Sequence, residues 1–182
     1  MVTFEEIQKN ESIRTYIQKA DESLIALGFT EHSFAHVGIV AQNAGYILET
    51  LGYPERTVEL VKIAAFLHDI GNLVNRVDHS QSGAVMAFRI LNELDMEPAE
   101  IAEIVTAIGN HDEGTGRPVS PMAAALILAD KSDVRRSRVR EKPKASFDIH
   151  DRVNYAVTES KLKIEKDRSM IALNLQIDES IC

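Results

Sequence analysis

Cysteine is almost missing from this chain. The one cysteine among 182 residues is Cys182, the last residue. A single thiol excludes an internal disulfide and fits a reducing compartment. Folding therefore has to rely on an apolar core, and a chain of this length with 45% hydrophobic residues is long enough to bury one in a single domain.

Positive charge and long apolar runs are also scarce. Lys and Arg total 20 against 28 Asp and Glu, which gives a formal net charge of -8. Surfaces that follow a phosphodiester backbone need clustered Lys and Arg, so long nucleic acids are not expected as partners. No apolar stretch approaches the roughly 20 residues of a membrane-spanning helix, and the first residues are acidic where a signal peptide is basic. These features predict a cytoplasmic protein that does not bind membranes.

Apolar residues at three- and four-residue spacing dominate the chain up to about residue 140, and this spacing predicts a series of amphipathic helices. The first predicted helix covers residues 11–28 and is closed by Gly28, because glycine readily adopts the left-handed conformation of a helix end. Candidate residues at the starts of later helices are Thr30, Pro54, Ser80 or Ser82, Pro98, and Ser120 with Pro121.

The pattern of charged and apolar residues changes after residue 130. A basic run covers residues 131–144, and it includes Lys142 and Lys144. Apolar residues then alternate with a period near two, which predicts two or three antiparallel strands. Their apolar positions are Val153, Tyr155 and Val157, then Leu162 and Ile164, then Ile171, Leu173, Leu175 and Ile177. We expect a mainly α protein with a helical unit over 1–145 and a β-rich extension of the same domain over 146–182. Because a small apolar sheet needs a cover, a homodimer is a further expectation.

An apolar run over residues 63–67 ends in His68, Asp69, Ile70 and Gly71. Glycine after such a run predicts the helix end, where two neighbouring polar side chains are free to face one centre. Other histidines and an aspartate also fall near predicted helix ends or in polar connectors. The ordered set is His36, His68, Asp69, His79, His111 and Asp130. Imidazole and carboxylate are ligands of borderline divalent metals, so the set predicts a metal site. His32 and His150 have no motif partner and are expected to be structural or exposed.

The order and context of these residues resemble the HD-domain metal-dependent phosphohydrolase superfamily over residues 36–130. The resemblance implies a helical HD-domain bundle in which His36, His68, Asp69 and Asp130 hold one metal ion. It further implies that His79 and His111 hold a second ion, with Asp69 bridging the two. Iron is the expected ion, and Mn, Co, Ni and Zn suit the same ligands.

Local strings are most similar to the bacterial HD proteins that split diadenosine tetraphosphate symmetrically. The shared features are His79-Ser80-Gln81-Ser82-Gly83-Ala84, Thr115-Gly116-Arg117-Pro118 after His111, and an Ala-Asp pair at 129–130. Cyclic-di-nucleotide phosphodiesterases of the superfamily share His-Asp-Ile-Gly, but this chain has Asn72 where they commonly carry lysine.

The resemblance implies hydrolysis of a phosphate bond in a small nucleotide, with a dinucleoside polyphosphate as the leading substrate. The metals would activate water, and Asp69 and His68 would be the catalytic pair. Arg117, Lys131 and Arg135 are the expected phosphate-binding residues, because guanidinium and ammonium groups bind phosphate. Two alternatives are a catalytically quiet sensor of metal or nucleotide and a phosphodiesterase acting on a cyclic nucleotide.

Overall fold

The computed structural model describes residues 1–141, 143, 146–165, 167 and 169–180. Cys182 and the lysines Lys142 and Lys144 of the basic run lie outside the described residues. The helices are α1 (Phe4–Lys9), α2 (Glu11–Leu27), α3 (Phe34–Thr50), α4 (Glu55–Leu67), α5 (His79–Glu93), α6 (Pro98–Gly109), α7 (Pro121–Ser132) and α8 (Ile149–Ala156). Short 3-10 turns cover Ile70–Leu73 and Arg136–Arg138, and an antiparallel hairpin of β1 (Val157–Ile164) and β2 (Ile171–Ile177) ends the described fold. The prediction of a mainly α bundle with a small C-terminal antiparallel sheet is confirmed.

Helix α4 lies at the centre of the bundle. It packs against α1, α3, α6 and α7. Its last five residues, 63–67, are all buried, so the end of this helix is apolar on every side. His68 follows directly as the helix cap, and Asp69 opens the Ile70–Leu73 turn. His68 and Asp69 therefore lie in the protein interior and not at its surface.

Gly71 is required by close packing and not by a left-handed helix end. It lies inside the 3-10 turn, and the positive-φ glycines of the described chain are Gly28 and Gly52. A Cβ atom at Gly71 would lie 1.9 Å from the carbonyl oxygen of His79 and 2.5 Å from the amide nitrogen of Gly83. The helix ends before His68 as predicted, but a left-handed Gly71 does not end it, because the glycine instead lets the turn touch the first turn of α5.

Helix boundaries agree with the sequence signals at some positions and differ at others. Gly28 closes α2 with φ 81, and Ser120 caps α7 through a bond from Ala123 N. Ser33 rather than Thr30 caps α3. Helix α5 begins at His79, so both Ser80 and Ser82 lie inside it, and the residue before it is Asp78 with φ 56. The hydroxyl of Ser82 faces carbonyl oxygens of the preceding turn, which explains how a serine is accommodated there.

The predicted strand through Val153 and Tyr155 is wrong, because these residues lie in α8. Asp148 and Asp151 form a capping box that starts a helix at this point, and the local signal outweighs the apolar alternation. The later alternation does form strands, with Leu162 opposite Leu173 in the hairpin. The face that carries Leu162 packs partly against the helical core. The division into units 1–145 and 146–182 stays a prediction.

No helix in the described ranges combines the length and the apolarity needed to cross a bilayer.

Arg56 joins the chain start to two helices, and its removal should destabilise the fold. Its Nε donates to Glu100 Oε1 at 2.7 Å, and its Nη1 donates to Val2 O at 2.9 Å and to Glu59 Oε2 at 2.6 Å. The side chain is only 22% exposed. Hydrogen bonds to charged groups contribute about 1.5–3 kcal/mol to stability. We therefore expect Arg56→Ala to lower the free energy of unfolding, measured in urea titrations, by about 2 kcal/mol.

Arg89→Ala is the matched control for this variant. Arg89 pairs with Glu93 at 2.9 Å on α5, but the arginine is 81% exposed. Exposed i,i+4 pairs contribute little, so the free energy of unfolding should stay nearly unchanged. Equal losses in the two variants would contradict the role given to Arg56.

Candidate metal centre

Three helices bring the first group of ligand atoms together. His36 lies in the first turns of α3, His68 caps α4, and Asp130 lies near the end of α7. His36 Nε2 is 3.3 Å from Asp130 Oδ1 and 3.6 Å from Asp69 Oδ2, and His68 Nε2 is 3.2 Å from Asp69 Oδ2. The ligand atoms of His36, His68 and Asp130 lie within 4.8 Å of one another, which is close enough for one ion.

A second group adjoins the first. His79 opens α5, and His111 follows the end of α6. Their Nε2 atoms are 3.2 Å apart, and His79 Nε2 is 3.4 Å from Asp69 Oδ1. The two oxygens of Asp69 therefore point to different groups, Oδ2 to the first and Oδ1 to the second. The structure brings all six predicted ligands together, with Asp69 between the two groups.

Hydrogen bonds at Nδ1 orient the imidazoles. In each of three histidines Nδ1 lies close to the backbone carbonyl oxygen of the residue three positions earlier. The distance is 2.7 Å for His68 and for His111, and 3.1 Å for His79. The acceptors are Ala65, Arg76 and Ile108. A carbonyl oxygen can only accept, so Nδ1 carries a hydrogen, and Nε2 is the ring nitrogen that faces the centre and is available to an ion once it carries no proton. In metal sites, a hydrogen bond from the second ring nitrogen fixes the orientation of an imidazole whose other nitrogen binds the metal.

His36 is oriented by a carboxylate instead. Its Nδ1 is 2.8 Å from Asp133 Oδ2, and Asp133 is only 4% exposed. Asp133 also accepts from Arg135 Nε at 2.9 Å. Asp133 was not predicted as a site residue, although its position three residues after Asp130, at the C-terminal cap of α7, was a usable signal.

Buried atoms without partners show that the site fits a cation. Within the described residues, the buried side-chain atoms that lack a hydrogen bond are His36 Nε2, His68 Nε2 and Asp69 Oδ2. Such atoms cost free energy unless something binds them. All three face the same point, and their chemistry suits a borderline divalent ion. These groups could hold such an ion.

The electrostatics of the cluster favour positive charge at its centre. Burial raises the pKa of the Asp69 and Asp130 carboxyls, but contacts with His68 and other imidazoles outweigh it and hold both pKa values well below the usual range. Burial lowers the pKa of His68, yet the charges of Asp69 and Asp130 raise it to about 10. Burial and the charge of His68 lower the pKa of His111 to about 4, and burial also lowers that of His79. His111 is therefore neutral at pH 7, the form in which imidazole binds metals.

Two residues of the Ile70–Leu73 turn region support Asp69 and were missed by the sequence analysis. The Asn72 amide is buried and donates to Asp69 Oδ1 at 3.0 Å and to Asp69 O at 2.9 Å. Arg76 Nη1 lies 4.0 Å from Asp69 Oδ1 and 3.4 Å from His79 Nε2. Asn72 thus holds the carboxylate through its amide, and Arg76 brings a positive charge close to it.

A cavity of about 450 Å³ opens above the cluster, and its lining includes Asp69, His79, His111 and Asp130. This size is in the range of sites for small molecules. Arg76 and Lys131 also line it. Lys131 Nζ is 3.0 Å from Asp130 Oδ2 and 2.9 Å from Glu113 Oε1. The cavity lining therefore combines members of the ligand cluster with cationic side chains, and these include Arg76, Lys131 and Arg138.

The other predicted phosphate-binding residues lie elsewhere. Arg117 is exposed on its loop, where Nη1 donates to Gly116 O at 3.1 Å, and it is not among the described residues that line the cavity. Arg135 pairs with Glu31 at 2.7 Å and with Asp133, behind the cluster. The geometry therefore gives Arg135 a supporting position.

The two histidines without motif partners have different surroundings. His32 lines the cavity, its Nδ1 is 2.8 Å from Thr30 O, and its ring lies 5.3 Å from that of His36. Burial lowers the pKa of His32 to about 3. His150 is exposed at the edge of the same cavity.

Comparisons with known proteins agree with this geometry. An uncharacterized protein of Methanocaldococcus jannaschii is 27% identical over 170 residues, covering 81% of this chain and 65% of that protein. The chain thus spans less than two thirds of the length of that relative. A crystal structure described as a "predicted HD superfamily hydrolase" from an uncultured Thermotogales bacterium has a TM-score of 0.56 and 26% identity, covering 74% of this chain and 75% of that one. A sequence model of the HD domain matches residues 33–144. The match covers more than half of the sequence and the whole ligand cluster, and the chain belongs to the HD domain family.

Proposed function

We propose that this protein is a metal-dependent phosphohydrolase that cleaves a phosphoanhydride or phosphoester bond of a small nucleotide. One observation carries the proposal. Two groups of ligand atoms share the Asp69 carboxylate at the floor of a cavity that also presents Lys131 and Arg76. A catalytically inert metal site needs neither an open cavity nor cationic groups beside its ligands.

The residues divide the work as follows. His36, His68 and Asp130 would hold one ion, His79 and His111 a second, and Asp69 both. When bound, two such ions lower the pKa of water and neutralise charge on the transferring phosphoryl group. Lys131 and Arg76 would bind the phosphate oxygens, because their charges face the cavity beside the ligands. Asn72 orients the Asp69 carboxylate through one hydrogen bond to Oδ1 and donates a second to the backbone carbonyl of Asp69.

A dinucleoside polyphosphate is the first substrate to test. Two sequence strings support this choice, the one that begins at His79 and the one that ends at Pro118. Both resemble strings of the HD proteins that split diadenosine tetraphosphate. Symmetric cleavage would release two molecules of ADP. A cyclic nucleotide is the alternative substrate and would give a linear product.

The test is a nucleotide panel assayed with the protein purified without chelator and after metal removal. We expect about two metal ions per chain, with iron as the native ion, and phosphate-bond cleavage that chelation abolishes and added Fe, Mn or Co restores. His68→Ala should remove most of the metal and the activity. Wild type that releases no product from any nucleotide with any of these metals would overturn the enzymatic proposal.

A nucleotide sensor is a second candidate function, favoured by the hairpin. Leu173, Leu175 and Ile177 lie on one face of β2 and are each about two-fifths exposed or more. The cross-strand pair of Leu162 and Leu173 shows that this face also packs partly against the helical core, and its exposed part could bind a partner protein or a second copy of the chain. Tight nucleotide binding without turnover in the same panel would favour the sensor.

A further inference from the structure

Helix α8 has an inverted distribution of polar and apolar residues. Its buried positions include Asp151 and Asn154, whereas Ile149 is 66% exposed and Val153 is 48% exposed. Ile149 and Val153 are four residues apart, so they lie on the same face of the helix. Both line the cavity above the ligand cluster. The apolar face of α8 therefore borders the cavity rather than the protein core.

The buried polar residues of α8 anchor the helix. Asn154 Oδ1 accepts from Arg135 N at 3.1 Å, and Tyr155 O accepts from Arg136 Nε at 2.7 Å. Arg135 in turn donates to Asp133, which orients His36. A chain of hydrogen bonds thus connects α8 to the ligand cluster. This connection places the face with Ile149 and Val153 at a set position relative to the proposed metal ions.

The cavity has a charged floor and an apolar border. The floor holds the ligand cluster with Lys131 and Arg76, and Phe29 lines the cavity in addition to the two α8 residues. The guanidinium of Arg76 lies 5.5 Å from the centre of the Phe29 ring. An inorganic phosphate or polyphosphate would leave these apolar side chains in water. A ligand with an anionic end and a flat, weakly polar end would cover them.

Three apolar residues that line the cavity lie outside the span that matches the HD domain, whereas a fourth, Val134, lies inside it. That span is 33–144, whereas Phe29 precedes it and Ile149 and Val153 follow it. The matched span supplies the ligand cluster and both floor cations. The groups placed to contact the non-reacting part of a substrate thus lie outside the matched span.

We propose that Ile149 and Val153, with Phe29, form a subsite for the base of a nucleoside phosphate whose phosphates lie on the ligand cluster. This proposal deepens the proposed function and rests on it. Contact with the base would be made by apolar side chains and one aromatic ring, so the subsite would favour nucleosides over base-free phosphates without selecting strongly between bases.

Binding of two hydrolysis-resistant analogues to the metal-loaded protein tests the subsite. The probes are the 5′-phosphonates of adenosine and of ribose, measured by calorimetry. Wild type should bind the adenosine analogue about tenfold more tightly than the ribose analogue. In the double variant Ile149→Ala, Val153→Ala the ratio should fall to about two, with the affinity for the ribose analogue unchanged, because only the apolar contact is removed.

Ile25→Ala combined with Val85→Ala is the matched control. These residues are exposed on α2 and α5, away from the cavity lining, and the ratio should keep its wild-type value. A ratio unchanged in the α8 variant, or equal loss of both analogues, would overturn the subsite. Equally tight binding of a simple alkyl phosphonate would also overturn it, since the border would then accept any apolar group. The affinity ratio does not depend on turnover. The binding test can therefore support the subsite when the nucleotide panel shows no hydrolysis, and it can contradict the subsite when the panel does show hydrolysis.

Discussion

We expect Asp69→Asn to reduce hydrolysis by at least about 10³-fold, since two metal ions supply several kcal/mol of transition-state stabilisation. The Asp69 carboxylate faces His68 Nε2 at 3.2 Å with one oxygen and His79 Nε2 at 3.4 Å with the other. An amide has one oxygen, and its nitrogen cannot bind a cation. The variant should retain at most one metal ion per chain, which elemental analysis would measure.

Asp78→Asn is the control for this experiment. Asp78 is exposed, lies next to His79, and has φ 56, a conformation that asparagine accepts readily. It undergoes the same change of carboxylate to amide, so metal content and rate should match wild type. Two ions per chain and near-normal turnover in Asp69→Asn would show that Asp69 does not bridge. Far-UV circular dichroism of both variants would confirm that the helical content is kept.

The ligand cluster could be predicted because each of its members lies at or near a helix boundary that the sequence marks. Buried runs such as residues 63–67 end where polar side chains begin, and the order of the histidines and aspartates matches a known superfamily. The signal is local at each position. A single histidine near a helix end is weak evidence for a metal ligand, so the prediction also depended on the order of the whole set and on its resemblance to that superfamily.

The surroundings of the cluster could not be predicted, since they depend on contacts between distant segments. Asp133 meets His36 across 97 residues of sequence, and Arg76 reaches the cavity from a connector without regular pattern. Arg117 lies on a glycine-flanked loop that resembles a phosphate-binding motif, but the position of such a loop is set by tertiary packing. In α8 the capping box at Asp148 competed with apolar alternation, and periodicity over eight residues cannot decide between the two.

Replacement of Asp133 should weaken metal binding without touching a ligand. Asp133 accepts from His36 Nδ1 at 2.8 Å and pairs with Arg135 Nε at 2.9 Å, and Arg138 Nε lies 3.8 Å away. Carboxylates that hold a ligating imidazole contribute about 10–100-fold to metal affinity, so Asp133→Asn should raise the metal dissociation constant by that factor. Competition with a coloured chelator would measure it. Asp133→Ala also removes the acceptor of His36 Nδ1 and one of the two carboxylates paired with Arg135, and it should cost about 1–3 kcal/mol of stability.

The pH dependence of stability separates the role of the Asp133 charge from its shape. Burial raises the pKa of Asp133, but the bond from His36 and the charges of Arg138 and Arg135 outweigh it, so the pKa lies below its ordinary value. A carboxyl with a depressed pKa stabilises the folded protein above its unfolded pKa of about 3.9, and this contribution is lost as the pH falls through the folded value. The test is a set of urea titrations of metal-free protein between about pH 6 and about pH 3, a range that includes the unfolded pKa. The free energy of unfolding should fall less over this range for Asp133→Asn than for wild type. Identical slopes in the two proteins, together with unchanged metal affinity, would mean that His36 is oriented without help from this carboxylate.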